Sequence, residues 1–192
     1  ASAPTNGAAA GTEGADAGDG GGVAYRVLVA RVNGLDKTWG NDDLRGVARL
    51  VLAAVLFPKV DSTAQVAVLL EAVDAAGGKN LPVWLMIESP ASILNVAAIA
   101  CASPRIGALV VGTSDLVQAL RARHTPGRDN LAFALQQCVT AARAAGVDVL
   151  DGVHLDFRNS DPFRHAGTAD PHLGCDGQPP LHPSQLDLPT VC

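Results

Sequence analysis

The sequence predicts an α/β fold in which a parallel sheet is covered by helices. Three observations carry that expectation. Five short apolar runs recur along the chain, and stretches of helical periodicity separate them. The runs are also nearly continuous rather than alternating, the pattern of strands buried on both faces. At 192 residues, 48% hydrophobic and 17% charged, with a mean hydropathy of +0.21, the chain suits one soluble globular domain with a real core. Aromatics make up only 4%, so that core must be aliphatic.

In chain order, residues 1–22 are almost entirely Ala, Gly, Ser, Thr and acidic residues, ending in Gly20-Gly21-Gly22. Such a segment has nothing to bury and is expected to be a disordered tail, with the domain occupying 23–192. The first predicted strand covers 27–33 and the second 54–60. Asp61 or Ser62 then caps a helix through Val66, Leu69, Leu70 and Val73, stopped by Gly77-Gly78. The third strand covers 83–88. Pro90 follows where a first helical turn accepts proline, ahead of Ile93, Leu94 and Val96. The fourth strand covers 108–112. Leu131, Leu135, Cys138, Val139 and Ala142 repeat with helical spacing until Gly146. A fifth strand is expected at 147–151 and a weaker sixth at 174–182.

Composition excludes several classes. The net charge is −5 and the isoelectric point about 5.4. No Lys/Arg cluster forms a basic stripe, which argues against nucleic acid as a partner. No apolar run approaches the ~20 residues of a membrane helix. The start of the chain lacks the basic and apolar regions of a secretory signal and the arginines of a transit peptide. Cys101, Cys138, Cys175 and Cys192 stand far apart, which reads as reduced thiols in the cytoplasm or an organelle matrix. Cys101 and Cys138 fall in helical patterns and are expected to be small core residues. Neither a Walker motif nor a dinucleotide fingerprint follows any strand, so an open nucleotide-binding sheet loses ground to a barrel, although the pattern alone admits both.

Each predicted strand ends in a polar or charged residue: Arg31 and Asn33, Lys59, Glu88, then Asp115 just beyond the fourth, and Asp151. In a parallel α/β sheet these ends share one face, where sites are built. Glu88 and Asp115 come from adjacent strand ends and can converge on one cation, and two carboxylates completed by water and substrate oxygens suit Mg²⁺. The plainer alternative is that each caps the helix that follows. Arg31 can bind a carboxylate or an oxyanion, or form an ion pair with Asp61 or Glu88. Lys59 reads as a partner for a neighbouring carboxylate, and Asp151 and Asp156 as loop formers or site residues. His124, His154 and His182 show no ligand spacing.

Several words occur in a fixed order: Arg31-Val32-Asn33-Gly34-Leu35-Asp36 with Trp39-Gly40, Phe57-Pro58-Lys59-Val60, Met86-Ile87-Glu88-Ser89-Pro90 and Val111-Gly112-Thr113-Ser114-Asp115-Leu116. Ala122-Arg123-His124-Thr125-Pro126, Leu150-Asp151-Gly152-Val153-His154-Leu155-Asp156 and Leu181-His182-Pro183-Ser184-Gln185 follow. Together they resemble the citrate lyase beta-subunit-like family, which includes malyl-CoA and citramalyl-CoA lyases. The resemblance implies a (β/α)8 TIM-type barrel, with Glu88 and Asp115 holding Mg²⁺ and with Arg31 and Glu88 as catalytic, substrate-binding residues. It also implies a reversible carbon–carbon cleavage, in which a 3-hydroxyacyl-CoA thioester (malyl-, citramalyl- or citryl-type) gives an acyl-CoA and a 2-oxo acid. The implied assembly is a homo-oligomer, trimer or hexamer.

The resemblance further implies an incomplete barrel. A whole one takes ~250 residues, and family members carry two strands before the Arg-Val-Asn strand and a C-terminal lid after His-Pro-Ser-Gln. Two alternatives compete with the lyase. One is a metal-dependent 4-hydroxy-2-oxo-acid aldolase, which shares the barrel and a Glu/Asp metal pair. The other is a catalytically inactive homologue or fragment that acts as a subunit.

Overall fold

The computed structural model describes residues 28–125, 127–152 and 173–177. The predicted tail, Asp156, His154, His182 and most of the predicted sixth strand lie outside the described residues. Within them the chain runs β1 (Val29–Arg31), α1 (Gly40–Val47), β2 (Ala54–Phe57), α2 (Thr63–Ala75), β3 (Val83–Ile87), α3 (Pro90–Ala100), β4 (Ile106–Val111), α4 (Thr113–Ala119), α5 (Ala132–Ala145) and β5 (Asp148–Leu150). A 3₁₀ turn, Asp129–Leu131, leads into α5.

Every strand pair is parallel, and the sheet order is β1-β2-β3-β4-β5. A doubly wound sheet reverses its order at a switch point. Here each strand instead joins beside the one before it, as successive βα units of a barrel do. Right-handed crossovers then put the helices on one face of the sheet. Beyond β5, Leu150 forms a parallel bridge with Gly177, and Asp176 donates its backbone N–H to the Val149 carbonyl at 2.7 Å. This is the described part of the predicted sixth strand.

Local chemistry explains the boundaries. Of the two capping candidates, Ser62 caps α2: its Oγ accepts from the Gln65 amide at 3.3 Å while Gln65 Oε1 accepts from the Ser62 amide at 3.1 Å, a capping box. Ser62→Ala is expected to cost about 1 kcal/mol of stability in urea denaturation. Ser89 caps α3 in the same way, with Pro90 in the first turn. Gly146 ends α5 at φ +70°, a left-handed conformation that glycine takes freely. β2 stops at Phe57, short of the expected 60, because Pro58 has no amide to offer a ladder.

Strand alternation divides the sheet. Val55, Phe57, Val83, Leu85, Ile87, Leu109, Val111 and Val149 are buried in the core cluster with helix residues such as Val73, Ile93, Ile99 and Leu135. Leu56, Trp84, Met86 and Leu150 point the other way and are half-buried. Glu88 continues the Trp84–Met86 series, so its side chain belongs to the face turned away from the helices. Of the two cysteines expected in the core, Cys138 is buried and burial pushes its thiol up to about 12. Cys101 is not a core residue: it is the C-cap of α3 and is exposed, because the helix ends before its next inward-facing position. No helix among the described residues is long and apolar enough to cross a membrane.

Candidate metal centre

Glu88 and Asp115 meet at the carboxyl edge of the sheet. Glu88 directly follows β3, and Asp115 sits in the first turn of α4, which begins two residues after β4 ends. The Glu88 residue is only 4% exposed, while Asp115 is exposed. Glu88 Oε1 accepts the backbone N–H of Lys59 at 2.8 Å. On its other side lies Gly112, where a Cβ would stand 2.5 Å from Glu88 Cβ and 2.7 Å from Oε2. Only glycine allows the two strand ends to lie this close.

The electrostatics are unbalanced. Burial, and then the hydrogen-bonding contact and negative charge of Asp115, push the Glu88 carboxyl up to about 7, against the opposing effects of the Lys59 amide and ammonium group. Two like charges held side by side, one of them desolvated, are a standing cost that a bound cation removes. Among the described residues no group of three or more His, Cys, Asp or Glu converges. Among the described residues the donor set here is two carboxylates. It fits a hard divalent ion that keeps its remaining positions for water and ligand oxygens, and it does not supply the nitrogen and sulfur ligands zinc prefers.

The other predicted residues are placed as follows. Arg31 ends β1 with its side chain exposed. β2 lies between β1 and β3, and neither hydrogen bond nor ion pair joins Arg31 to Glu88 or Asp61 among the described residues. Asp61 instead accepts from Ser89 Oγ, which ties the segment leading into α2 to the start of α3. Asn33 Nδ2 donates to the Asp43 carboxylate at 2.6 Å, tying the loop after Arg31 to α1. Asp151 is wholly buried and grips Arg128 through two 2.7 Å bonds.

Three participants were not singled out from sequence: the Lys59 amide, the missing side chain of Gly112, and Arg128. Lys59 and Arg128 both adopt left-handed backbone, at φ +55° and +54°, without the Gly or Asn that usually marks it. Gly112 alone left a trace, since a glycine directly after an apolar strand signals close backbone approach.

Comparison with known proteins agrees with this architecture. The family described as HpcH/HpaI aldolase/citrate lyase matches residues 22–183. A (3S)-malyl-CoA thioesterase of Cereibacter sphaeroides (strain KD131 / KCTC 12085) is 40% identical over 164 residues, covering 85% of this chain and 55% of the relative. Citrate lyase subunit beta of Escherichia coli (strain K12) is 34% identical over 166 residues, covering 83% and 55%. A solved citrate lyase beta subunit from M. tuberculosis, complexed with oxaloacetate and magnesium, superposes with a TM-score of 0.70 at 27% identity, covering 85% of this chain and 70% of that one. The chain spans about 55% of the length of these curated relatives. Its ordered strands, the extent of the family match and the identity to these relatives lead to one assignment: the chain belongs to the HpcH/HpaI aldolase/citrate lyase family.

Proposed function

We propose that the protein is a Mg²⁺-dependent carbon–carbon lyase acting on a 3-hydroxyacyl-CoA thioester of the malyl, citramalyl or citryl type. The observation that carries the reading is the contact between the Glu88 and Asp115 carboxyls on neighbouring strand ends. Glu88 and Asp115 would hold the ion. When bound there, Mg²⁺ supplies Lewis acidity toward the hydroxy or oxo group and the carboxylate of the substrate. In the cleavage direction the 3-hydroxyl gives its proton to solvent water and the bond between the second and third carbons breaks, leaving its oxygen as the carbonyl of a 2-oxo acid. The electron pair of that bond moves into the thioester as an enolate, which takes a proton from solvent at carbon to become the acyl-CoA. Arg31 has a guanidinium open to solvent and offers its donors to a substrate carboxylate or to the developing enolate oxygen. Glu88, largely shielded from water, would hold the ion together with Asp115 and so help to orient the substrate. Complexes of M. tuberculosis CitE with magnesium, acetoacetate and coenzyme A, at 28% identity, support the substrate class.

The relatives named (3S)-malyl-CoA thioesterase favour a second reading, hydrolysis of the thioester. Product analysis separates the two. Incubating the full-length protein with malyl-CoA and Mg²⁺ is expected to give acetyl-CoA and glyoxylate, whereas hydrolysis gives malate and free coenzyme A. Product formation that EDTA leaves unchanged would refute the metal-dependent lyase.

A further inference from the structure

The two oxygens of Glu88 have different surroundings. Oε1 takes up the Lys59 amide at 2.8 Å, while Oε2 packs against Gly112, 2.7 Å from where a Cβ there would stand. Lys59 can present that amide because its φ is +55°, a conformation unusual for a lysine. The turn that holds it is tied down on several sides. Val60 N donates to the Met86 carbonyl at 3.4 Å, Ser89 Oγ donates to the Asp61 carboxylate, and Asn95 Nδ2 donates to the Asp61 carbonyl at 3.0 Å. The Lys59 residue itself remains exposed.

We propose that the backbone amide of Lys59, rather than its ammonium group, is a positioning element of the metal centre that makes Glu88 a one-oxygen ligand and so selects Mg²⁺ over Ca²⁺. The inference rests on Glu88 being a metal ligand. Mg²⁺ demands a small, near-ideal octahedron, whereas Ca²⁺ takes six to eight oxygens and accepts bidentate carboxylates. An amide bonded to one carboxylate oxygen takes one of its lone pairs and fixes the carboxylate's orientation, which biases the second oxygen toward the ion. Released from the amide, the carboxylate can turn and present both oxygens, which suits the larger ion.

The test uses Mn²⁺ binding to the full-length protein, read by electron paramagnetic resonance, with Mg²⁺ and Ca²⁺ as competitors. Asparagine tolerates the left-handed conformation and carries no charge, so Lys59→Asn is expected to change Mn²⁺ affinity by less than about threefold and to keep the Mg²⁺ preference. Valine keeps the amide but resists that conformation, so Lys59→Val is expected to weaken Mn²⁺ binding about tenfold or more and to narrow the gap between Mg²⁺ and Ca²⁺. Where Lys59→Val fails to fold by circular dichroism, replacing the amide at position 59 by an ester tests the same bond. Equal losses in Lys59→Asn and Lys59→Val, or an ester variant that binds and discriminates as the parent does, would overturn the proposal. A parent protein whose Mn²⁺ binding survives Glu88→Gln would instead overturn the ligand assignment beneath it.

Discussion

Arg128→Ala is expected to destabilise the fold by about 3 kcal/mol, because it takes a partly buried partner from a carboxylate that is wholly buried. Asp151 is wholly buried. Its two oxygens accept from Nη1 and Nη2 of Arg128 at 2.7 Å each, and Oδ1 also accepts from the Gly152 amide at 2.6 Å. The planar fork matches the carboxylate, so lysine at position 128 is expected to recover only part of the loss. Urea denaturation measures the change, and a loss below about 1 kcal/mol would contradict the assignment. The double variant Arg128→Ala with Asp151→Ala is expected to lose less than the two single losses combined, because the groups share one interaction.

Asp115→Asn is expected to have opposite effects on binding and on stability. If the protein is the proposed Mg²⁺-dependent lyase, turnover should fall by about 100-fold or more, since one of the two proposed anionic ligands would be gone. The metal-free protein should nevertheless become more stable above pH 7. The Glu88 carboxyl is raised from 4.5 to about 7 by burial first and Asp115 second. A carboxyl raised on folding favours the protonated native state. Its contribution is fully present below the unfolded value and is lost as pH rises through about 7. Removing the Asp115 charge eases that loss by about 1 kcal/mol after allowance for solvent screening. Thermal unfolding in EDTA at pH 5 and pH 8 measures it. A lower Tm for Asp115→Asn at pH 8 would contradict the electrostatic account. Because the ion competes with a proton on Glu88, Mg²⁺ affinity of the parent should also climb with pH across the same range.

The sequence made the five strands legible as short runs of apolar residues, and all five lie within or next to the predicted windows. The two long helices α2 and α5 were legible through helical spacing instead, in Val66, Leu69 and Val73 and in Leu135 and Cys138. α1 left little signal. It holds two glycines and two aspartates, and among its side chains only Leu44 is buried. At the site, strand-end position singled out Glu88 and Asp115, but nothing local reveals that Lys59 and Arg128 take left-handed backbone. The partnership of Arg128 with Asp151 spans 23 positions and follows no helical or strand period. Such contacts depend on tertiary geometry and have no pattern in one dimension.

Each strand pairs with the one that precedes it in the chain, so the sheet itself is built from successive units, while packing such as that of α3 on α5 joins more distant ones. A topology of this kind can form progressively, one unit docking on the last as it leaves the ribosome. β3 and β4 share the longest register of the sheet and should show the slowest amide exchange. Both acidic groups are delivered by those two consecutive units. The pair is therefore complete before β5 has been made.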